Sequence, residues 1–188
     1  MLEECGLPYQ VHTINIGTNA EQFTPEYLKI NPNGKIPSIV DPDGPGGKPI
    51  AMMESGAILI YLAEKTKKFF PEKQRYQVLQ WLMFQMGGVG PMFGQAHHFM
   101  RAKKDEIPYG SERYGNEAKR LYGVMDRQLS KGEFFTAEYS IADMAIFPWV
   151  ARHEWHRVDI AGFKSVKRWY DKVDARPAVV KGMTVPAV

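Results

Sequence analysis

The spacing of hydrophobic residues changes along the chain and divides it into two parts. Alternation of apolar and polar positions predicts a strand over residues 10–16, and short apolar runs bounded by turns predict two further strands, at 38–40 and 49–52. A helix over 55–65 follows. From about residue 74 the apolar positions recur at helical spacing, with no further strand signal. The pattern predicts a small α/β domain over residues 1–70 and an all-helical domain over residues 71–188.

Capping signals mark where several helices begin and end. Thr24 and Pro25 predict the start of a short helix, and Gly6 predicts the end of another. In the second part, long helices are predicted over 74–86, 111–129, 141–153 and 166–174. Ser140 and Asp143 form a capping box before an almost wholly apolar segment, so this helix is the expected spine of the helical part.

Two motifs in the first part predict a binding site. Residues 31–41 form a turn-rich loop with Pro37 directly before a strand, where a proline cannot donate a ladder hydrogen bond. Because X–Pro bonds adopt the cis form readily, a cis Ile36–Pro37 bond would turn the N–H and C=O of Ile36 outward, toward an extended peptide. Glu54 and Ser55 open the next helix, with Ser55 as the predicted N-cap, and the free N–H groups there suit a carboxylate. Together the motifs predict a small acidic peptide ligand.

Composition and charge narrow the class of protein. The 188 residues are 44% hydrophobic and 24% charged, which is ordinary for a globular protein. The formal net charge is +3, and the basic residues are spread along the chain, so we expect no nucleic-acid partner. No apolar run approaches the ~20 residues that span a bilayer, and the first residues lack the order of a signal peptide. We therefore expect a soluble, cytoplasmic protein without a membrane partner.

Cysteine and histidine give little support for a metal site. The single cysteine, Cys5, excludes an internal disulfide; it is either a reactive thiol or a helix-packing residue. His97 and His98 are adjacent on a helix, so they point about 100° apart and do not suit joint ligation. His153 and His156 share a predicted face that would permit a metal, but no third ligand accompanies them, and a solvated face is the alternative. The sequence predicts no metal.

The order of these features resembles the cytosolic glutathione transferases. The shared features are a strand, Ile-Pro before a second strand, Glu-Ser opening a helix, and Ser-Ile-Ala-Asp in an all-helical part. A narrower similarity to the nu-class branch rests on residues 22–26, 31–37, 54–58, 80–81, 87–95 and 97–99. That branch contains bacterial disulfide-bond oxidoreductases that use glutathione, and fungal nitrogen-regulator relatives. The resemblance, which covers nearly the whole chain, implies a thioredoxin-like glutathione-binding domain followed by an all-helical domain.

The resemblance also implies which residues bind glutathione. The backbone of Ile36, before a cis Pro37, would pair with the cysteinyl part. Glu54 would take the α-ammonium of the γ-glutamyl end, and Ser55 with its neighbouring N–H groups would take the α-carboxylate. An acid at Glu54, in an otherwise apolar segment, needs such a partner.

Other residues would contact the peptide more peripherally. Gln22 and Lys35 would reach the glycyl end, although both are also plausible solvated loop residues. Arg113 is a candidate contact from the helical domain, to the peptide or to its disulfide form. The resemblance also places His97 and His98 near the cleft.

The resemblance departs at the front of the chain. Relatives begin with a strand and a loop that carry the residue beside the glutathione sulfur, a Thr or Asn in this branch, whereas this chain starts inside the helix that comes next. Without that central strand, the strands predicted at 10–16 and 38–40 would lack their common neighbour. Either a further segment precedes Met1 in the native protein, or another segment, such as one from a partner chain, fills the gap. We expect the former, with the catalytic residue in that segment.

Two hypotheses for function remain. The first is a glutathione-dependent disulfide-bond reductase or transferase, with glutathione as cosubstrate and a small disulfide or electrophile as substrate. The alternative is a non-catalytic glutathione-binding or interaction module. The resemblance also implies a homodimer, for which Met52, Met53, Phe69, Phe70 and residues 80–86 are candidate contacts, with core packing as the alternative.

Overall fold

The computed structural model describes residues 1–186, and within them a small unit with a β-hairpin precedes a helical unit. Strand β1 (Ser38–Asp41) pairs antiparallel with β2 (Ile50–Met53), with Ser38 opposite Met53 and Asp41 opposite Ile50. The helices are α1 (Leu2–Cys5), α2 (Pro25–Ile30), α3 (Ser55–Thr66), α4 (Arg75–Phe84), α5 (Gly90–His97), α6 (Pro108–Leu129), α7 (Ile141–Val150), α8 (Lys164–Asp174) and α9 (Pro177–Gly182). The predicted order of an α/β unit and then a helical one is confirmed.

Two π-helical segments interrupt the first long helix of the helical unit. They are Gln85–Val89, between α4 and α5, and His98–Ala102, after α5. Short 3-10 turns lie elsewhere at Glu21–Phe23, Pro45–Gly47, Glu72–Gln74, His153–His156 and Ile160–Gly162. A π-helical turn adds a residue to the helix and rotates the residues after it, and such turns occur often at functional sites.

The strand predicted over residues 10–16 is wrong. This segment has no regular structure, and Val11 and Ile16 are 49% and 52% exposed. Alternation predicts which side of a strand would be buried, but a strand also needs a neighbour for its backbone hydrogen bonds, and within residues 1–186 β1 pairs only with β2. The segment therefore lies open instead of extending the sheet.

The later helices differ from their predictions only at the ends. Helix α7 ends at Val150, short of the predicted residue 153, and a 3-10 turn comes after it. Pro177 lies beyond the end of α8, as predicted, but it is also the first residue of a further helix, α9. Proline fits at this position because the first N–H of a helix has no partner within the helix. The capping box is confirmed: the Asp143 carboxylate accepts from the Ser140 backbone N–H at 3.0 Å.

Asp143 also holds the core of the helical unit together. It accepts from the indole N–H of buried Trp169 at 2.8 Å and from the backbone N–H of Phe135 at 3.2 Å. Burial raises the pKa of Asp143 to about 6.

A second cluster, in which Ala63 of α3 packs with Val78 and Leu82 of α4 and Ile141 of α7, fixes the hairpin unit on the helical unit. None of the helices in residues 1–186 combines the length and the apolar character needed to cross a bilayer.

Candidate functional site

The loop before β1 is held by two buried donors. Asn31, which is 2% exposed, donates from Nδ2 to the Lys35 carbonyl at 2.6 Å, and the Tyr27 hydroxyl donates to the same oxygen at 2.7 Å. Asn31 Oδ1 accepts from the backbone N–H of Asn33 at 2.9 Å. Because the Lys35 carbonyl is held from two sides, the Ile36–Pro37 peptide next to it is fixed in position.

Gly34 is the one residue in this loop that only glycine suits. Its φ is +61°, and a Cβ built on it would lie 2.8 Å from the Phe23 ring and 3.3 Å from the Gln22 carbonyl. The loop therefore packs directly on the turn that carries Gln22.

Ile36 presents an unpaired stretch of backbone. The Ile36–Pro37 bond is cis, as predicted. The Ile36 side chain is 50% exposed, and within residues 1–186 neither its N–H nor its C=O has a hydrogen-bond partner, because the ladder begins at Ser38. The free donor and acceptor could pair with an extended peptide lying alongside.

The start of α3 differs from the prediction by one residue. Glu54, not Ser55, is the residue before the helix; its φ of 66° is in the left-handed region, and its side chain caps nothing. Such a conformation in a non-glycine residue costs about 1–3 kcal/mol and is common at ligand-binding sites. The first backbone bond of the helix runs from the Ile58 N–H to the Glu54 carbonyl at 2.9 Å, so within the described chain the three preceding N–H groups have no backbone acceptor. They form an open carboxylate seat.

The hairpin register brings the two motifs together. Because Ser38 lies opposite Met53, the residues just beyond them, Pro37 and Glu54, leave the ladder at the same end. The unpaired backbone of Ile36 and the open N-terminus of α3 therefore border the same corner of the molecule. This is the arrangement expected for a short peptide that has a carboxylate at one end.

The first π-helical segment supplies a wall from the helical unit. Met86, in Gln85–Val89, has its Sδ 3.9 Å from the Ser55 hydroxyl oxygen, and a Cβ on Gly56 would come within 3.1 Å of the same sulfur. The sequence predicts Met86 as an apolar position of the helix over 74–86, in a dimer contact or in the core. The glycine pair after it was the available signal for an irregular helix, but apolar periodicity cannot show a π-helical turn.

The three peripheral candidates are placed differently. Gln22 lies beside the loop; its Nε2 donates to the Ile16 carbonyl at 3.4 Å and its Oε1 is buried without a partner within the described residues. Lys35 is exposed. Arg113 is exposed on α6, two residues from Gly115, whose position packs against Met100. No contact in residues 1–186 links Arg113 to the corner formed by Ile36 and Ser55, so its role stays a prediction.

Cys5 lies away from this corner. Its Sγ is 3.4 Å from the Thr66 hydroxyl at the last residue of α3, whereas Ser55 is the first residue of that helix. At 1.5 Å per residue the two ends of α3 are ~16 Å apart. The thiol of this chain is therefore not part of the candidate site.

Sequence reasoning missed a histidine pair in the helical unit. His97 Nε2 lies 2.7 Å from His156 Nδ1, and the Tyr122 hydroxyl lies 2.9 Å from His156 Nε2. Burial lowers the pKa of His156 to about 3; burial, followed by the charges of Arg101 and Arg152, lowers that of His97 to about 4. A pair separated by 59 residues leaves no local signal.

The predicted shared face of His153 and His156 is wrong. His153 Nδ1 donates to the Val158 carbonyl at 2.8 Å, whereas His156 faces His97 and Tyr122. The solvated face expected as the alternative is also wrong for His156, which is 1% exposed. Across residues 1–186 no group of three His, Cys, Asp or Glu side chains is arranged to hold a metal ion.

Comparison with known proteins identifies relatives over nearly the whole chain. Residues 1–65 match the family model described as glutathione S-transferase, N-terminal domain. The disulfide-bond oxidoreductase YfcG of Escherichia coli (strain K12) is 46% identical over 181 residues, which cover 94% of this chain and 84% of that protein.

Two solved structures show the same fold. The glutathione transferase from Pseudomonas putida, with one glutathione disulfide bound per subunit, has a TM-score of 0.93 and 48% identity over 99% of this chain and 84% of that one. The glutathione transferase from Burkholderia graminis, with two glutathione molecules bound per subunit, has a TM-score of 0.91 and 46% identity over 99% of this chain and 81% of that one. The fold is therefore a thioredoxin-like unit followed by a helical one.

Proposed function

Because this chain belongs to the glutathione S-transferase family, we propose that it binds glutathione at the corner between β1 and α3 and uses it to reduce disulfides. The observation that carries the proposal is the meeting of unpaired Ile36 backbone groups and an open helix N-terminus at one end of the hairpin. Glutathione and glutathione disulfide are short peptides that offer a backbone to pair with Ile36 and a carboxylate for the N-terminus of the helix.

Each part of the peptide has a partner in this arrangement. The cysteinyl residue lies along Ile36 and exchanges two backbone hydrogen bonds with it. The γ-glutamyl carboxylate takes the N–H groups at the start of α3 with the Ser55 hydroxyl, and the Glu54 carboxylate takes the α-ammonium. Gln22 and Lys35 lie on the loop side, where the glycyl end would fall, and Arg113 is kept as a contact from the helical domain.

Glutathione itself supplies the sulfur for this chemistry. The one cysteine of the chain lies at the far end of α3 from the site. One glutathione thiolate attacks the substrate disulfide, forming a mixed disulfide and releasing the first substrate thiol; a second thiolate then releases the other thiol and leaves glutathione disulfide. Two electrons pass from two glutathione thiols to the substrate. No metal takes part in the proposal.

The test compares retention on immobilised glutathione with turnover. Glu54→Ala removes the ammonium partner, and we expect about tenfold weaker retention in the absence of free glutathione, with elution in the buffer wash, since a charge-assisted hydrogen bond contributes about 1.5–3 kcal/mol. Glu72→Ala, which removes an exposed acid of the linker before α4, is the matched control and should elute like the wild type. Unchanged elution of Glu54→Ala would refute the site assignment.

Turnover separates the two functional hypotheses. With hydroxyethyl disulfide and glutathione, a reductase forms glutathione disulfide, which is followed through NADPH consumption by glutathione reductase. Binding without turnover of this disulfide or of a chlorinated aromatic electrophile would instead identify a non-catalytic glutathione-binding module.

The proposal includes two domains that meet near residue 70. It also includes a homodimer. Phe69 and Phe70, which were candidate dimer contacts, pack partly buried against the core clusters of their own chain. Tyr76 and Met83, seven residues apart on one face of α4, are 76% and 51% exposed and are better candidates. Light scattering after size exclusion would measure twice the monomer mass, and Tyr76→Glu should shift it toward the monomer.

A further inference from the structure

The bonds of the histidine pair fix the direction in which its protons point. The Tyr122 side chain is fully buried, and within the described residues its hydroxyl has one partner, His156 Nε2 at 2.9 Å. If His156 donated from Nε2, the buried hydroxyl proton of Tyr122 would have no acceptor. Tyr122 therefore donates to His156, and His156 must carry its own proton on Nδ1.

Tyr122, His156 and His97 form a chain of two hydrogen bonds, here called the relay. The second bond sets the tautomer of His97. His156 Nδ1–H donates to His97 Nε2 at 2.7 Å, so neutral His97 carries its proton on Nδ1. This nitrogen has no protein partner among residues 1–186 and is not among the buried unpaired atoms. The buried relay from Tyr122 thus presents a fixed N–H donor at the surface.

Two arginines lie around the same point. The guanidinium carbon of Arg101 is 3.9 Å from the ring centre of Trp155, and that of Arg152 is 5.1 Å from it. The His97 ring centre is 5.4 Å from the same indole. The two guanidinium carbons are therefore at most 9.0 Å apart, the sum of their distances to the indole centre.

No acid in the described chain neutralises this cluster. Within residues 1–186 neither Arg101 nor Arg152 has a carboxylate within 4.0 Å, whereas the neighbouring Asp105 is paired with Arg157 at 2.6 Å. The distances to the indole centre also place the guanidinium carbons of Arg101 and Arg152 at most 9.3 Å and 10.5 Å from the His97 ring centre. Stacking on an indole satisfies a guanidinium face but leaves its N–H donors free and the two like charges uncompensated.

We propose that His97, Arg101 and Arg152 form a binding site for a phosphate group, free or carried on a small ester. All three groups offer donors and no acceptor, and a dianionic phosphate would neutralise two guanidinium charges. Trp155 is 37% exposed, so an aromatic ester could also stack against it. The site shares no residue with the proposed glutathione corner and does not depend on the proposed function.

The test measures binding of inorganic phosphate to the full chain by calorimetry at pH 7.5, with sodium chloride adjusted to constant ionic strength. We expect saturable binding with one phosphate per chain, and binding at least about tenfold weaker in Arg101→Gln and in Arg152→Gln, since each removes a charge-assisted contact. Arg127→Gln, which removes an exposed arginine of α6, is the matched control and should bind like the wild type.

Three further arms make the result specific. Acetate, a monoanion, should bind more weakly than phosphate, and phenyl phosphate should bind more tightly if an ester is the natural ligand and equally if free phosphate is. In the ¹⁵N spectrum His97 should be protonated on Nδ1, and Tyr122→Phe should give a mixture of tautomers and weaker phosphate binding. Absence of saturable binding by the wild type, or equal affinity in the wild type and both arginine variants, would overturn the proposal.

Discussion

Acidification should destabilise this protein through the buried histidine pair. Both pKa values in the folded protein, about 4 for His97 and about 3 for His156, lie below the ordinary value of 6.5. Between pH 6.5 and 4 the unfolded chain therefore binds protons at these positions that the folded chain does not bind, so stability falls as the pH falls through this window. The direction of this effect results from burial, which makes both rings harder to protonate in the folded protein than in the unfolded chain.

The size of the effect can be worked out from linkage. At pH 5.5 an unfolded histidine with a pKa of 6.5 has gained about 1.4 kcal/mol from protonation, so the pair lowers the free energy of unfolding by about 2–3 kcal/mol relative to pH 7.5. Asp143 acts in the opposite direction, because its pKa of about 6 lies above its ordinary value. Its protonation in the folded protein raises the free energy of unfolding at pH 5.5 by about 1 kcal/mol relative to pH 7.5. A net loss of about 2 kcal/mol is expected.

Urea unfolding at the two pH values measures this loss. His156→Gln removes one titrating group and its relay, so the difference between pH 7.5 and 5.5 should shrink by about 1 kcal/mol or more, whatever the acids contribute. His12→Gln removes an exposed histidine and should keep the wild-type difference. Equal stability of the wild type at both pH values, or the same pH dependence in His156→Gln, would refute the reasoning.

Three substitutions test the supports of the site and the core. Tyr27→Phe removes a donor to the loop carbonyl and should weaken glutathione binding and lower the free energy of unfolding by about 1 kcal/mol, measured by calorimetry and urea unfolding. Gly34→Ala places a methyl group 2.8 Å from the Phe23 ring at a φ of +61° and should cost at least about 1 kcal/mol; stability equal to wild type would contradict the packing. Trp169→Phe removes the indole donor to Asp143 and should cost about 1–3 kcal/mol; stability equal to wild type would contradict a contribution from this bond.

Local chemistry made much of the proposed glutathione corner predictable. A proline before an apolar run predicts a backbone that cannot join the ladder at that point, and Ile36 is indeed unpaired within the described chain. The acid and hydroxyl at Glu54 and Ser55 marked the start of α3, but the cap position depends on φ and ψ, which a sequence does not give. The left-handed Glu54 therefore displaced the predicted cap by one residue.

Features that depend on distant residues were beyond sequence patterns. The segment 10–16 alternates like a strand, yet alternation cannot supply a hydrogen-bonding neighbour. Sequence patterns present His97 and His156 as separate ligand candidates, because only the packing of the helical unit brings their ring nitrogens to 2.7 Å from each other. The π-helical turn at Met86 changes which face of the helix meets Ser55, and a 3.6-residue period cannot reveal it.

The proposed glutathione corner is tested most directly by an NMR titration of the ¹⁵N-labelled protein with reduced glutathione. We expect the amide signals of Ile36, Ser55, Gly56 and Ala57 to shift together with a single binding curve, because these N–H groups are the free donors of the corner. Glu54→Ala should move that curve to about tenfold higher glutathione without unfolding the protein. Binding that leaves these four amides unchanged while shifting signals elsewhere would contradict the proposed site.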